Sequence, residues 1–352
     1  MRAIPKDMEL PIYWKTTLKE VEEALELVKK GKVTKECESA GGRPIYMVEY
    51  GKSNLPKGTA NLSSALGAHH PECYADKSGE DYIPTIFLVG CIHGGEFEGT
   101  CAILNLIKII ETGTDYAGKR YDELKELAEK VHLMLIPMVN PDGRSHIPFN
   151  TFVGKSFEDL RYFNQGTWKD GTLAGWPECK MKHPILPYVD YLGGYFNDEG
   201  VNMMHEDFIG GKLSTGTQLV LDVCKKEAPD FSVLFHGGSN TTACMLNTDY
   251  GAHIYKVEAN EVERIVKEKC DAAGVRYTAT AVPEHEKKAV PVSFNLPSAM
   301  HHCCGTPCVT FESNQGLTDH GTVIYDHDEI YASHIITMTE ICRYYLKKFN
   351  KI

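Results

Sequence analysis

Two short stretches, 86–89 and 133–139, are apolar almost without interruption, and each runs directly into glycine-rich polar chain. A strand with one wet face alternates, so continuous apolar runs predict strands buried on both faces of a sheet. Helical spacing recurs around them, near 98–112, 121–130, 214–227, 255–273 and 328–348, with a further strand-like run at 231–236. Doubly buried strands alternating with amphipathic helices predict an α/β sandwich, a mixed and mostly parallel central sheet with helices on both faces. Upstream, Thr17-Leu-Lys-Glu20 has the form of a capping box, and Leu18, Val21, Leu25 and Val28 follow it at helical spacing. The segment 43–50 alternates as a strand does.

At 352 residues the chain is long for one domain, yet enzymes built on a single sheet reach this size. A single domain over 1–352 is expected, with a loop or small insertion near 51–82 and a loop region near 144–212 that is dense in Gly, Pro, Asn and aromatics. Ordered loops of that length shape binding sites.

The balance of 37 Lys+Arg against 48 Asp+Glu leaves a net charge of −11 without a basic cluster. That excludes a nucleic-acid surface, which needs concentrated positive charge. No run reaches the ~18 apolar residues of a membrane span, and the N-terminus lacks an apolar signal core, so a cytoplasmic location is expected. The 12 cysteines lie in apolar runs or in the cluster Cys303, Cys304 and Cys308, without the spacing of a disulfide framework, and predict reduced thiols.

Chemistry concentrates where apolar runs end. After 86–89 comes His93-Gly-Gly-Glu96, an imidazole and a carboxylate placed to share one cation. Alone, His-x-x-Glu is short and common. The run at 231–235 also ends in a histidine, His236, and two strands ending in His bring both imidazoles to one sheet edge. Two His and one Glu leave zinc an open position for water, the arrangement of a hydrolytic site. Glu312, ending the run 308–311, is placed to serve as its general base.

His93-Gly-Gly-Glu96, Asn140-Pro-Asp-Gly143, the strand-end His236 and Thr310-Phe-Glu312 occur in the order of the zinc carboxypeptidases, the carboxypeptidase A-like metallopeptidases, and the chain resembles that family. The resemblance covers roughly residues 15–345. It implies a mixed sheet of about eight strands, one zinc on His93, Glu96 and His236, Glu312 as base, and a peptide substrate. It also implies an arginine polarising the scissile carbonyl, for which Arg161 is the candidate and Arg144 the runner-up.

The chain departs from the family where an Asn and an Arg grip the substrate's terminal carboxylate. The matching segment, Gly200-Val-Asn-Met-Met-His-Glu-Asp-Phe208, holds no arginine. Asn202 and His205 are the substrate-binding candidates there, and Glu206 and Asp207 would favour a basic group. No tyrosine occupies 291–302 to cap the substrate. The cluster from His301 to Cys308 is expected to be packing, since adjacent residues do not point at one ion.

Gly90-x-x-His93-Gly-Gly-Glu96-x-x-Gly99 also resembles the aspartoacylase and succinylglutamate desuccinylase enzymes. Deacylation of an N-acyl amino acid is therefore the alternative to peptide cleavage. A non-catalytic binding module is a third reading, opposed by retention of all three ligands and Glu312.

Overall fold

The structure, a computed structural model, describes residues 2–55, 58–238, 242–280, 292–320 and 325–352. Helix α1 (Leu18–Leu25) starts as expected: the Thr17 hydroxyl accepts from the Glu20 N–H, and the Glu20 carboxylate accepts from the Thr17 N–H. Strands β1 (Lys32–Glu38) and β2 (Pro44–Tyr50) follow as an antiparallel pair. The loop region after them holds a short helix α2 (Leu62–Gly67), with Ala65 and Tyr74 packed against Ala228.

The apolar runs become β3 (Thr85–Val89) and β4 (His132–Ile136), separated by α3 (Glu98–Thr112) and α4 (Asp122–Ala128). Short helices α5 (Pro141–Ser145) and α6 (Phe157–Leu160) lead to a separate two-stranded ribbon, β5 (Gly166–Trp168) and β6 (Val189–Leu192). Then come α7 (Thr215–Glu227), β7 (Phe231–Gly238), β8 (Cys244–Asn247), α8 (His253–Ala272), α9 (Leu296–Cys304), β9 (Cys308–Asn314) and α10 (His327–Lys348).

The main sheet has the order β1-β2-β4-β3-β7-β9-β8. It is a mixed sheet of 7 strands among the described residues, in keeping with the expected sheet of about eight, and β5 and β6 pair with each other apart from it. Parallel pairing is confined to the centre, β4–β3, β3–β7 and β7–β9. The pairings β1–β2, β2–β4 and β8–β9 are antiparallel. Alternation distributes the apolar runs between two cores. Ile86, Leu88, Leu133, Leu135, Val233, Phe235, Val309 and Phe311 face α3, α8 and α10, whereas Phe87, Val89, Met134, Ile136 and Leu234 face α7 and α9.

Leaving β3, the chain passes to β4 on one side, while β7 pairs on the other. That reversal opens a crevice beyond the carboxyl ends of the parallel strands. No helix among the described residues is long and apolar enough to cross a membrane.

Candidate active site

The turn after β3 is held by close backbone packing. A Cβ at Gly94 would lie 1.9 Å from the carbonyl carbon of Gly143, so only glycine allows this approach. The Gly94 N–H donates to the Gly194 carbonyl at 2.7 Å. Asn140 accepts from the Gly143 N–H at 2.9 Å and donates through Nδ2 to the Ile92 carbonyl at 3.0 Å. Asp142, its side chain fully buried, accepts from Ser39 Oγ (2.5 Å), Gly41 N (3.0 Å) and Arg43 Nη1 (2.8 Å). The Asn-Pro-Asp-Gly sequence is thus a clamp on the turn that carries His93 and Glu96.

His93 Nδ1 lies 2.8 Å from Glu96 Oε1, and His236 Nδ1 lies 2.8 Å from Glu96 Oε2. The ligand atoms of the three buried residues all fall within 4.8 Å of one another, and no other group of this kind occurs among the described residues. The opposite nitrogen of His93, Nε2, meets Asn202 Oδ1 at 3.2 Å. That amide oxygen also accepts from the Met204 N–H at 3.0 Å, which fixes its orientation. An Nε2–H donated to Asn202 leaves the Nδ1 lone pair aimed at a carboxylate. Glu96 Oε2, for its part, has no aligned hydrogen bond despite its close imidazole. Acceptors crowded face to face in this way fit a cation between them, and the nitrogen and oxygen donors suit zinc.

Burial favours a neutral Glu96, but the two imidazoles outweigh it and bring the carboxyl down to about 2. His93 is lowered by burial against the pull of Glu96. His236, equally buried, is raised on balance by Glu96 and Glu312.

Strand parity delivers Glu312. Ser232, Leu234 and His236 share one face of β7, Cys308, Thr310 and Glu312 share the same face of β9, and His236 pairs directly with Glu312. Both line a cavity of about 750 Å³ with His93, Glu96, Lys180 and His205. Burial pushes the Glu312 carboxyl up to about 7, with His236 opposing and Glu96 reinforcing.

Other expected site residues lie elsewhere. Arg144 is buried and faces away from the cavity. Its Nε donates to the Thr16 carbonyl (2.9 Å), Nη1 to the Ile147 carbonyl (3.0 Å) and Nη2 to Asn150 Oδ1 (2.6 Å), so all three of its nitrogens are engaged by structural partners outside the cavity lining. Arg161 is also outside the cavity lining, over Phe157 at 6.0 Å and close to Gly175. A π-turn over Arg161–Gln165 adds a residue to the helical phase and turns Asn164 and Gln165 inward instead.

Asn202 sits behind His93 as a positioning residue, not in the cavity. His205 does line the cavity, with Nδ1 2.9 Å from Ser293 Oγ. Burial, reinforced by Lys180, brings it down to about 3, so it is neutral and supplies no cation. Glu206 is turned away to α7, accepting from the Ser214 N–H (2.7 Å) and the Thr217 hydroxyl. His301 accepts from the Ala252 N–H through Nε2, and its Nδ1 lies 2.8 Å from the Thr306 carbonyl, as packing requires. Of the segment 291–302, Pro291 lies outside the described residues.

Lys180 was not singled out from sequence. It sits in an aperiodic loop with no motif around it, and only its position in the cavity distinguishes it. Tyr195, whose ring stacks on His93 at 3.6 Å between centroids, was equally silent.

The sequence model of the zinc carboxypeptidases matches residues 18–151. No curated protein matches the chain. Among solved structures, a metallo-carboxypeptidase from Burkholderia cenocepacia is similar at 14% identity and TM-score 0.55, over 94% of this chain and 68% of that one. A metallo-carboxypeptidase from Pseudomonas aeruginosa, in complex with (2-guanidinoethylmercapto)succinic acid, gives 13% and 0.55 over 94% and 68%. Carboxypeptidase A from Helicoverpa armigera gives 14% and 0.53 over 94% and 73%. At these identities the structural likeness shows a shared carboxypeptidase-like α/β fold. Together with the family match it supports a zinc metallopeptidase hydrolase.

Proposed function

We propose that this chain hydrolyses an amide bond near the C-terminus of a peptide, with one zinc held by His93, Glu96 and His236 and with Glu312 as general base. The convergence of three buried donors at the mouth of β3 and β7, beside a carboxyl group on the neighbouring strand, carries this reading. Zinc, when bound, supplies Lewis-acid polarisation of a carbonyl and acidification of water.

The chain's own residues do the rest. Glu312 takes a proton from the attacking water and returns it to the leaving nitrogen, so that the amine departs neutral. Asn202 holds His93 by its far nitrogen and keeps Nδ1 directed at the metal position. Asn164 and Gln165 bring amide oxygens without partners among the described residues, suited to the N–H groups of a peptide. All 12 cysteines are free and most are buried, which fits a reducing compartment such as the cytoplasm.

The test combines elemental analysis with product analysis. Wild type is expected to carry one zinc per chain, and a His93→Ala/His236→Ala variant to lose it. Glu312→Gln is expected to keep the metal while turnover falls about 10²–10⁴-fold. Wild type without specific zinc, or Glu312→Gln with undiminished turnover, would overturn the assignment. The mass of the products separates a released terminal amino acid from a released acyl acid.

A further inference from the structure

Asn202 orients His93, so whatever orients Asn202 decides how firmly the metal position is set. Its amide oxygen meets His93 Nε2 and accepts from the Met204 N–H. Its main-chain N–H donates to His183 Nε2 at 2.9 Å. A main-chain N–H can only donate, so the His183 ring presents the lone pair of Nε2 to it. His183 is exposed, does not line the cavity, and lies in the loop between β5 and β6.

The peptide joining Val201 to Asn202 is gripped at both edges. The Val201 carbonyl accepts from the Asn197 N–H at 3.0 Å, and the Asn202 N–H is the one taken by His183. Asn197 belongs to the same tight turn, which it closes by accepting from the Val201 N–H through Oδ1 at 2.9 Å. The imidazole is therefore the grip from outside the turn, supplied 19 residues earlier in the chain. Its own segment is anchored, because the buried Ile185 donates its N–H to the Gly200 carbonyl at 2.8 Å. With a ring of similar shape but no nitrogen at 183, the N–H of a residue that is 1% exposed is left without its acceptor. The peptide plane is then held at one edge only, and its rotation swings the Asn202 amide off the His93 ring.

We propose that His183 is a positioning residue of the metal centre, acting through the main chain of Asn202 and from there through the Asn202 amide on His93. This rests on the metal-dependent reading above. The path is directional: the grip of His183 reaches the metal position only while the Asn202 side chain is present to carry it. A residue that merely stabilised the loop would weaken the fold whether or not that side chain were there.

That difference is read by a double-variant cycle on zinc affinity, measured by chelator competition on the full chain. The proteins are wild type, His183→Phe, Asn202→Ala and the two combined. Asn202→Ala keeps the main-chain N–H and removes only the amide. His183→Phe is expected to weaken zinc binding about tenfold in the wild-type background, within the range for partners beyond the ligands. In the Asn202→Ala background the same change should cost less than about twofold, since coupled residues are not additive. His183→Gln, whose side-chain oxygen can accept the same N–H, should recover most of the loss. Cobalt in place of zinc gives a second reading, because its visible absorption follows ligand geometry: the spectrum should change in His183→Phe and return in His183→Gln.

Equal affinity in wild type and His183→Phe, equal losses in both Asn202 backgrounds, or a His183→Gln no better than His183→Phe would overturn the inference and leave the hydrolase reading standing. If wild type binds zinc yet cuts no amide, the hydrolase reading fails, and the cycle still decides the role of His183 without turnover. Wild type that binds neither metal would overturn both.

Discussion

Arg144 shows how a functional type of side chain is taken up by structure. Its guanidinium ties the Thr16 carbonyl, the Ile147 carbonyl and the Asn150 side chain together and lies 4.7 Å over the Phe97 ring. Burial lowers its pKa to about 10, still far above any working pH. Arg144→Met leaves three acceptors without a donor in a water-poor setting and is expected to lower stability by about 2–4 kcal/mol. Arg144→Lys should rescue little, because a single ammonium cannot span three directions. Urea unfolding with an unchanged m-value measures both, and a loss below about 0.5 kcal/mol would show that these bonds are replaced by water. The sequence ranks Arg161 ahead of Arg144 for catalysis and neither lines the cavity, since what separates a brace from a catalyst is the direction of the side chain. Lys180 is the converse, a surface-type residue that the loop path carries into the cavity.

At the scale of elements, the site depends on two alignments. Parallel pairing sets His236 of β7 opposite Glu312 of β9 on one sheet face, and a slip of one residue would send either side chain to the opposite core. The second alignment is the clamp around the Asn-Pro-Asp-Gly turn, where Arg43 bridges Asp142 and Asp198, both at 2.8 Å, and His146 joins Asp198 at 2.7 Å. Partial burial opposes ionisation of Asp198, but Arg43 and His146 outweigh it, so its folded pKa lies below the ordinary carboxylate value. A carboxyl group depressed in this way contributes stability that is present above the unfolded pKa, about 3.9, and is lost as pH falls through the lower folded value. Asp198→Asn should therefore melt below wild type at pH 7, and the gap should close below about pH 4. Calorimetry at the two pH values tests this, and a gap independent of pH would assign the effect to packing.

For the molecule as a whole, the reversal of strand order at β3 joins distant parts of the chain at one point. His93 and Glu96 follow β3, His236 ends β7, and Glu312 lies on β9. A cation bound there links two neighbouring strands, β3 and β7, and binds only the folded state. Removing zinc by chelation should lower the melting temperature, with restoration worth about 2.7 kcal/mol at a hundredfold excess over Kd. The His93→Ala/His236→Ala variant should show no such response, and an equal response in that variant would place the ion elsewhere.

The apolar runs that end in His93, His236 and Glu312 were legible in sequence, because burial on both faces of a strand writes itself into consecutive residues and strand ends are where polar groups become accessible. The helices α3, α7, α8 and α10 were legible for the same reason, through a period that burial imposes. The region 144–212 was not, because its strands are only 3 and 4 residues long and leave no period to read. The order β4-β3-β7-β9, the turning of Asn202 onto His93, the neutrality of His205 and the exposure of Lys180 to the cavity arise from contacts between residues far apart in the chain. The sequence by itself determined which segments are buried and which donors they carry. Only the tertiary structure decided which charged side chains point into the cavity, because direction is set by packing against distant partners rather than by the residues alongside.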